Sequence, residues 1–425
     1  MADAKKWEGH PRLRTAGEKL PPAEKITDEG MERRKFRANK PFYPKGGMVY
    51  FNNEATRDTI RHFVDGIGDD NPLFRDEEYA QKTKYGSIIA PGSFLYTNMW
   101  GAQVGSGFAG VHAWYSGGEW EWYRPIFPGT AFRNVTILRD VEVKKGRMTG
   151  ANIYIDYGDV VYLDPKGEVV AKERSHTVWA ERELSGSAGK ERGVSKVSYS
   201  REDWVKILEM YDSWKIRGSE PRYWEDVQVG DKIGHMIKGP LSVRDILAWL
   251  MGGGSPFFRA HKMEYMAEMK HPKLLEYVEE LGEADVPELV HIFDAYARTI
   301  GVERAYDYGN QRMSWLCQLF SDWMGDDGFL WKMSGDERAF NQVGDITTFE
   351  GEVTKKYIEE GKCCVDIEAG ARNQRDEWSM PPRSSTVVLP SREHGPVVYP
   401  NPSPELVEEV KRARPLEDMI KEGVI

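Results

Sequence analysis

A chain of 425 residues is long enough for two or three domains, each with its own core. Its net charge of −10 argues against a general nucleic-acid partner or an anionic membrane surface. Three cysteines cannot form a disulfide framework, and no Cys/His spacing matches a zinc site. The first residues lack an apolar signal core, and no window approaches the ~20 apolar residues of a membrane span. We therefore expect a cytoplasmic protein that does not bind membranes.

The two halves of the chain share a sequence pattern. Gly68–Arg75 reads GDDNPLFR and is echoed by Gly252–Arg259, which reads GGGSPFFR. Further along, Gly92 aligns with Gly309. The first pair is 184 residues apart and the second 217, which gives an insertion of 33 residues, at about 259–290, in the second copy. An internal repeat of this kind indicates two similar domains.

Changes in composition set the predicted domain boundaries. The first residues are rich in charge and proline, as in an arm that lies on a surface and covers a partner subunit. A stretch rich in Gly, Ser and charge reads as a linker between the halves. The predicted segments are an arm at 1–47, a first domain at 48–184, a linker at 185–220, a second domain at 221–392 and a tail at 393–425.

An amphipathic helix is predicted before each copy of the repeated motif. Between Asn53 and Ile67 apolar residues recur at i, i+3, i+4 and i+7, with Asn53 as the predicted N-terminal cap. The matching segment Val243–Leu250 has the same spacing, and Ser242 and Asp245 stand in capping-box positions. Each predicted helix is followed directly by the Gly-rich motif.

A central helix is predicted to begin at Gly92 in the first copy and at Gly309 in the second. The residues after Gly309 are apolar at helical spacing, whereas those after Gly92 are apolar on more than one side. In the insertion, Pro272 at a first helical position and Gly282 after the last apolar residue predict a further capped helix.

The rest of each half reads as antiparallel strands. Residues 131–180 contain several β-rich runs, and Asp164–Gly167 has the composition of a hairpin turn between two of them. Residues 347–389 repeat the pattern. The sequence therefore predicts an α+β architecture, with one long helix against an antiparallel sheet, formed twice.

The repeated motif resembles a known family. Asp69-Asp70-Asn71-Pro72-Leu73, followed by Tyr79-Ala80 and a Gly that opens an apolar helix, is similar to the MaoC-like (R)-specific enoyl-CoA hydratases and acyl dehydratases. The resemblance covers roughly residues 48–392 and implies two hot-dog domains, each a long central helix wrapped by an antiparallel sheet. It also implies reversible hydration of a 2-enoyl-CoA thioester. Coenzyme A would then be part of the substrate, without a metal or redox cofactor, in a homo-oligomer.

In the first copy, Asp69 and Asn71 are the candidate catalytic and substrate-binding residues. The family pattern places a His directly after Asn-Pro-Leu, where this chain has Phe74. Asp and Asn before Pro are also ordinary turn residues whose side chains satisfy local N–H groups. Gly92 is a candidate for substrate binding, because a helix N-terminus favours a thioester oxygen that gains charge. A Gly there could instead relieve packing between helix and sheet.

In the second copy, His291 stands where the family pattern places its His. Gly253 stands at the position of Asp69, so the insertion would supply the acid through Asp285. A His–carboxylate pair is what addition or removal of water requires, although a single His is often a structural hydrogen-bonding group. Tyr308 and Gly309, at the start of the second central helix, are the matching substrate-binding candidates.

Neither copy retains both members of the family's Asp and His pair, so we expect chemistry in one cleft, that of the second copy. The chain has 14 Trp, 20 Tyr and 16 Phe, enough to line a pocket for a bulky acyl group, although aromatic residues by default pack cores. Two alternatives remain open from the sequence. One is an acyl-CoA thioesterase, and the other is a non-catalytic acyl-CoA-binding subunit.

Overall fold

A computed structural model describes residues 8, 13, 24–44, 51–100, 108–145, 152–181 and 194–424. The α-helices are α1 (Asp28–Lys35), α2 (Arg57–Ile67), α3 (Pro72–Arg75), α4 (Glu77–Ala80), α5 (Arg201–Ser213), α6 (Val243–Gly253), α7 (Lys262–Lys270), α8 (Asp294–Thr299), α9 (Gly309–Met324), α10 (Pro404–Lys411) and α11 (Leu416–Lys421). Short 3-10 helices lie at Gly92–Thr97, Trp224–Asp226, Pro272–Leu274 and Pro287–His291.

The structure describes 15 strands. They are β1 (Phe42–Tyr43), β2 (Glu54–Ala55), β3 (His112–Trp122), β4 (Thr130–Ala131), β5 (Arg133–Lys145), β6 (Asn152–Leu163), β7 (Val169–Ala180), β8 (Lys232–Lys238), β9 (Glu276–Val278), β10 (Glu283–Asp285), β11 (Phe329–Asp336), β12 (Thr347–Glu359), β13 (Lys362–Asn373), β14 (Trp378–Val388) and β15 (Arg414–Pro415).

One sheet runs through both halves of the molecule. Its strand order is β15-β1-β5-β6-β7-β3-β11-β14-β13-β12-β8. Read outward from the junction of β3 with β11, the two halves have the same order of strands. At the junction β3 and β11 pair antiparallel, from Glu121 opposite Lys332 to Gly117 opposite Asp336. The predicted pair of hot-dog units is confirmed by this topology.

Among the described residues, the second half has a long central helix and the first half has a short one. Helix α9 is wrapped by the sheet, and every residue from Asn310 to Trp323 is buried. In the first half the described counterpart is the six-residue 3-10 helix Gly92–Thr97, so the prediction of a long central helix in both copies is wrong for the first. Its apolar residues follow one another directly instead of recurring at helical spacing, which removes the pattern that favours a long α-helix.

Two further sequence predictions are corrected. Helix α2 is capped by Thr56, which forms a capping box with Thr59, and not by Asn53. In the insertion, the chain from Pro272 is helical for one 3-10 turn only and then forms the hairpin of β9 and β10. Gly282, at φ +68°, lies in that hairpin turn and does not end a helix.

The C-terminal tail covers the first half. Strand β15 pairs with β1 at the outer edge of the sheet. Helix α10 buries Leu406 and Val410 against a cluster that includes Tyr123 and Val135. The predicted linker at 185–220 lies partly outside the described residues, and its described portion, 194–220, contains helix α5.

Helices α2 and α6, which precede the two copies of the motif, pack closely because each has a glycine at the contact. A Cβ on Gly252 would lie 2.4 Å from the carbonyl oxygen of His62, and a Cβ on Gly66 would lie 2.7 Å from that of Ala248. Since these neighbours are backbone atoms, a side chain at either position would force the helices apart.

We therefore expect Gly252→Ala to destabilise the protein by about 1–3 kcal/mol, because one methyl group overpacks a backbone contact. Thermal unfolding of the variant and the native protein measures the effect. Met251→Ala is the matched control, since Met251 is in the same helix and 74% exposed. Equal melting temperatures for Gly252→Ala and the native protein would contradict the close helix packing.

Candidate functional site

A cavity of about 1050 Å³ lies at the second copy of the motif. Its walls come from both halves: the start of β3, the inserted helix α7, the 3-10 helix Pro287–His291, the N-terminus of α9 and the segment 337–340 after β11. The cavity is therefore large enough for a ligand with a long or bulky acyl part.

The corresponding cleft of the first copy is nearly filled. A space of about 60 Å³ remains beside Asn71, Phe74 and Gly92. The Trp122 indole lies 2.7 Å from the point that a Cβ on Gly92 would occupy, and its Nε1 donates a hydrogen bond to the Gly92 carbonyl at 3.1 Å. The remaining space beside this 3-10 helix holds a few water molecules at most.

Asp69 and Asn71 lie at the junction between the halves. Asn71 donates from Nδ2 to Asp322 at 3.3 Å and accepts the backbone N–H of Leu73 at 3.1 Å. Asp69 is 1% exposed; its Oδ1 accepts the N–H of Asn71, and its Oδ2 has no hydrogen-bond partner among the described residues. Burial and the Asp322 carboxylate hold the pKa of Asp69 well above its usual range. Neither residue lines the 1050 Å³ cavity.

His291 lines the large cavity in its neutral form. Its Nδ1 lies 3.0 Å from the carbonyl oxygen of Tyr306. Because a carbonyl only accepts, Nδ1 carries the hydrogen and Nε2 keeps a lone pair. The ring stacks on Tyr308 with centroids 3.8 Å apart. Burial lowers the pKa of His291 to about 4, so that at neutral pH the imidazole is a hydrogen-bond acceptor through Nε2.

Glu288 supplies a carboxyl group to the same cavity. It accepts hydrogen bonds from the Tyr308 hydroxyl at 2.8 Å and from Ser255 Oγ at 2.5 Å. Burial raises the pKa of Glu288 to about 7, although both hydrogen bonds favour the ionised form. Tyr308 therefore contacts a neutral imidazole through its ring and a titrating carboxyl group through its hydroxyl.

The structure does not bring Asp285 into this arrangement. Asp285 lies on β10 and not in the cavity wall, and its carboxylate accepts the backbone N–H of Val286 at 2.7 Å. The carboxyl group that shares Tyr308 with His291 is that of Glu288. The spacing Glu-x-x-His could have indicated this pair, because side chains three residues apart in a 3-10 helix eclipse one another.

Ser255 forms in the second copy the kind of turn contact that Asp69 and Asn71 each form in the first. Its Oγ accepts the N–H of Phe257 at 3.0 Å, an i to i+2 contact. Because both residues of the first copy make this contact, it is common to the repeated turn, and Gly253 opposite Asp69 stays a prediction.

Gly309 and its neighbours place a helix N-terminus in the cavity wall. Helix α9 begins at Gly309, and the N-cap Tyr308 makes no side-chain capping bond. Arg312 in the first turn is fully buried and pairs with Asp307, from Nε to Oδ2 at 2.8 Å. Asn310 is also buried, and its Nδ2 has no partner in the described part of the chain. The helix start therefore offers unused donors to a ligand.

The three cysteines, Cys317, Cys363 and Cys364, are free and buried. Among residues 24–44, 51–100, 108–145, 152–181 and 194–424, no group of three or more His, Cys, Asp or Glu side chains is arranged to hold a metal ion. Within the same ranges, no helix combines the length and the apolar character needed to cross a bilayer.

A family model and several known sequences are similar to part of this chain. Residues 49–173 match the family described as FAS1-like, dehydratase domain region. A UPF0336 protein of Streptomyces avermitilis is 26% identical in an alignment of 146 residues that covers 32% of this chain and 87% of the relative. A probable enoyl-CoA hydratase alpha subunit of Thermomonospora curvata is 28% identical in an alignment of 135 residues that covers 27% of this chain and 41% of the relative.

A solved structure extends the likeness to most of the chain. A MaoC-like dehydratase superimposes with a TM-score of 0.57 at 15% sequence identity, covering 83% of this chain and 98% of the other. At that identity the match establishes the fold. The family match at 49–173 lies in the half whose cleft is filled, whereas the open cavity is centred on the second copy.

We expect Tyr308→Phe to raise the pKa of Glu288 above about 7, because the lost hydroxyl stabilises the carboxylate. The rise should be about one pKa unit or more. The infrared band of the protonated carboxyl, assigned by its loss in Glu288→Gln, measures the titration. Tyr306→Phe is the control, since Tyr306 contacts His291 by its ring edge. An unchanged midpoint in Tyr308→Phe would refute the hydrogen bond.

Proposed function

We propose that this MaoC-like double hot-dog protein catalyses the reversible addition of water to a 2-enoyl-CoA thioester in the cavity of its second copy. One observation carries the proposal: Tyr308 joins a neutral imidazole, His291, and a carboxyl group with a pKa near neutrality, Glu288, in the wall of that cavity. An acid and base of this kind, next to a helix N-terminus, are the parts that the reaction requires.

Glu288 is the group that transfers the proton. Its carboxylate takes a proton from water as the oxygen attacks Cβ of the enoyl group, and the C=C electrons move toward the thioester oxygen. The protonated Glu288 then delivers that proton to Cα, which completes the addition. A pKa of about 7 suits both steps, because the group is neither too weak a base nor too weak an acid at neutral pH.

His291 orients the water. With Nδ1 held by the Tyr306 carbonyl, Nε2 accepts a hydrogen bond from the water hydrogen that Glu288 does not take. The low pKa of His291, about 4, keeps the ring neutral and therefore an acceptor throughout the working pH range. Dehydration uses the same groups in reverse order, starting again from the Glu288 carboxylate.

The acyl and coenzyme A parts would occupy the remaining cavity. Its volume, about 1050 Å³, exceeds what a short acyl chain needs. Trp114 and His112 stack in its wall with centroids 5.2 Å apart and offer flat apolar surface to a bulky acyl group. The inserted segment contributes Arg259, Lys270 and Lys273 to the lining, and these cations suit the phosphates of coenzyme A.

We expect Glu288→Gln to lower kcat for hydration of 2-enoyl-CoA esters by about 10²-fold or more, because Gln cannot exchange a proton. Asp285→Asn, three residues earlier and outside the cavity wall, is the matched control and should stay within about 3-fold of the native rate. Loss of enoyl absorbance measures both. A fully active Glu288→Gln would contradict the assignment of proton transfer to Glu288. Release of free coenzyme A by the native protein would indicate a thioesterase.

We expect Asp69→Asn to retain turnover within about 3-fold, because Asp69 is buried at the junction and lies outside the large cavity. Asn matches the shape of the protonated carboxyl that burial favours. The comparison is made at matched folded fraction, monitored by circular dichroism. A loss of 10²-fold or more in Asp69→Asn alone, with Glu288→Gln active, would move the chemistry to the first copy.

A further inference from the structure

A second carboxyl group, Glu337, lies against the N-terminus of α9. Its Oε2 is 2.8 Å from the point that a Cβ on Gly309 would occupy, so the carboxyl group takes the place of a side chain at the first helical residue. Its backbone N–H donates to the Ser116 carbonyl at 2.9 Å, which continues the pairing of β3 with β11 and fixes its position. Glu337 lines the 1050 Å³ cavity.

Glu337 has an unused polar atom. Its Oε1 is buried and has no hydrogen-bond partner among the described residues. Asn310, one residue into α9, has an equally unpaired and buried Nδ2. Buried polar atoms are almost always satisfied by protein, water or ligand. Two of them beside a helix N-terminus in a cavity wall therefore indicate that a bound ligand completes their hydrogen bonds.

Burial favours the protonated form of Glu337 and outweighs the surrounding charges. Arg312 is the nearest cation, at 4.0 Å, but its guanidinium already binds Asp307 in a bidentate ion pair. Burial raises the pKa of Glu337 to about 7. The positive charge of Arg312 lowers this pKa, and the negative charge of Asp307 raises it. The other titratable groups that face it are Tyr115 and Tyr96, behind which lies Glu173.

We propose that Glu337, as a carboxylic acid, donates a hydrogen bond to the thioester oxygen of the substrate, together with Asn310 and the first N–H groups of α9. This rests on the proposed function and adds a catalytic residue to it. As negative charge develops on the thioester oxygen, a neutral acid donor strengthens the interaction, whereas a carboxylate at the same position would oppose it.

The proposed reaction then requires Glu288 and Glu337 to be in opposite protonation states. Glu288 must be ionised to act, so activity rises with pH through its pKa of about 7. Glu337 must be protonated, so activity falls as pH rises through its own pKa of about 7. The two requirements give a narrow bell-shaped profile of kcat/KM near neutral pH. The alkaline limb belongs to Glu337.

The test is the pH profile of kcat/KM for 2-enoyl-CoA hydration in the native protein, Glu337→Gln and Glu337→Leu. Gln donates at every pH and should remove the alkaline limb while keeping at least about a tenth of the peak rate. Leu should lose about 10²–10³-fold across the range, the usual effect of deleting one oxyanion donor. Glu264→Gln, at another carboxyl group of the same cavity wall, is the control and should keep the alkaline limb.

A second measurement does not depend on turnover or on the variants. The carbonyl stretch of a bound, unreactive saturated acyl-CoA, labelled with ¹³C at the thioester, should lie at lower wavenumber at pH 6 than at pH 8.5 in the native protein. If the native protein binds this ligand with the shift but hydrates no enoyl-CoA, the proposed function fails and the hydrogen bond stands. A pH-independent carbonyl band, or an alkaline limb unchanged in Glu337→Gln, would overturn the role of Glu337.

Discussion

The two halves are held together where β3 pairs with β11, and the proposed chemistry depends on that junction. The strand pairing leads directly into Glu337, and from the other half Tyr115 places its ring 2.7 Å from the Cβ position of Gly309. The N-terminus of α9 is thereby enclosed between the halves. Between protein walls of low dielectric constant, the helix dipole and its free N–H groups act on a ligand more strongly than at a surface.

The two copies have diverged by filling one cleft and enlarging the other. In the first, Phe74 and Trp122 occupy the space beside the repeated motif, and Asp69 is left buried at the junction. In the second, the insertion extends the wall of the cavity and brings Glu288 and His291 onto one 3-10 helix. A duplicated fold allows this division, because one copy can serve as a supporting wall once the other performs the chemistry.

The sequence predicted the fold further than the site. Helix caps, apolar spacing and the repeat were sufficient to predict α6, α9 and the antiparallel strands, because these elements depend on local sequence pattern. The short helix at Gly92–Thr97 was not predicted, because its run of adjacent apolar residues was interpreted as a helix wrapped by sheet. Glu288 was missed for a different reason. Its role follows from a 3-10 turn and from Tyr308, which is 20 residues away along the chain.

The central claim is that the thioester binds at the start of α9 in the cavity of the second copy. The most direct test is a crystal structure of the protein with an unreactive saturated acyl-CoA. The account predicts the thioester oxygen within hydrogen-bonding distance of the Gly309 and Asn310 N–H groups, with Cβ facing Glu288 and His291. A thioester bound against Gly92 in the first copy, or an acyl chain outside the 1050 Å³ cavity, would contradict it.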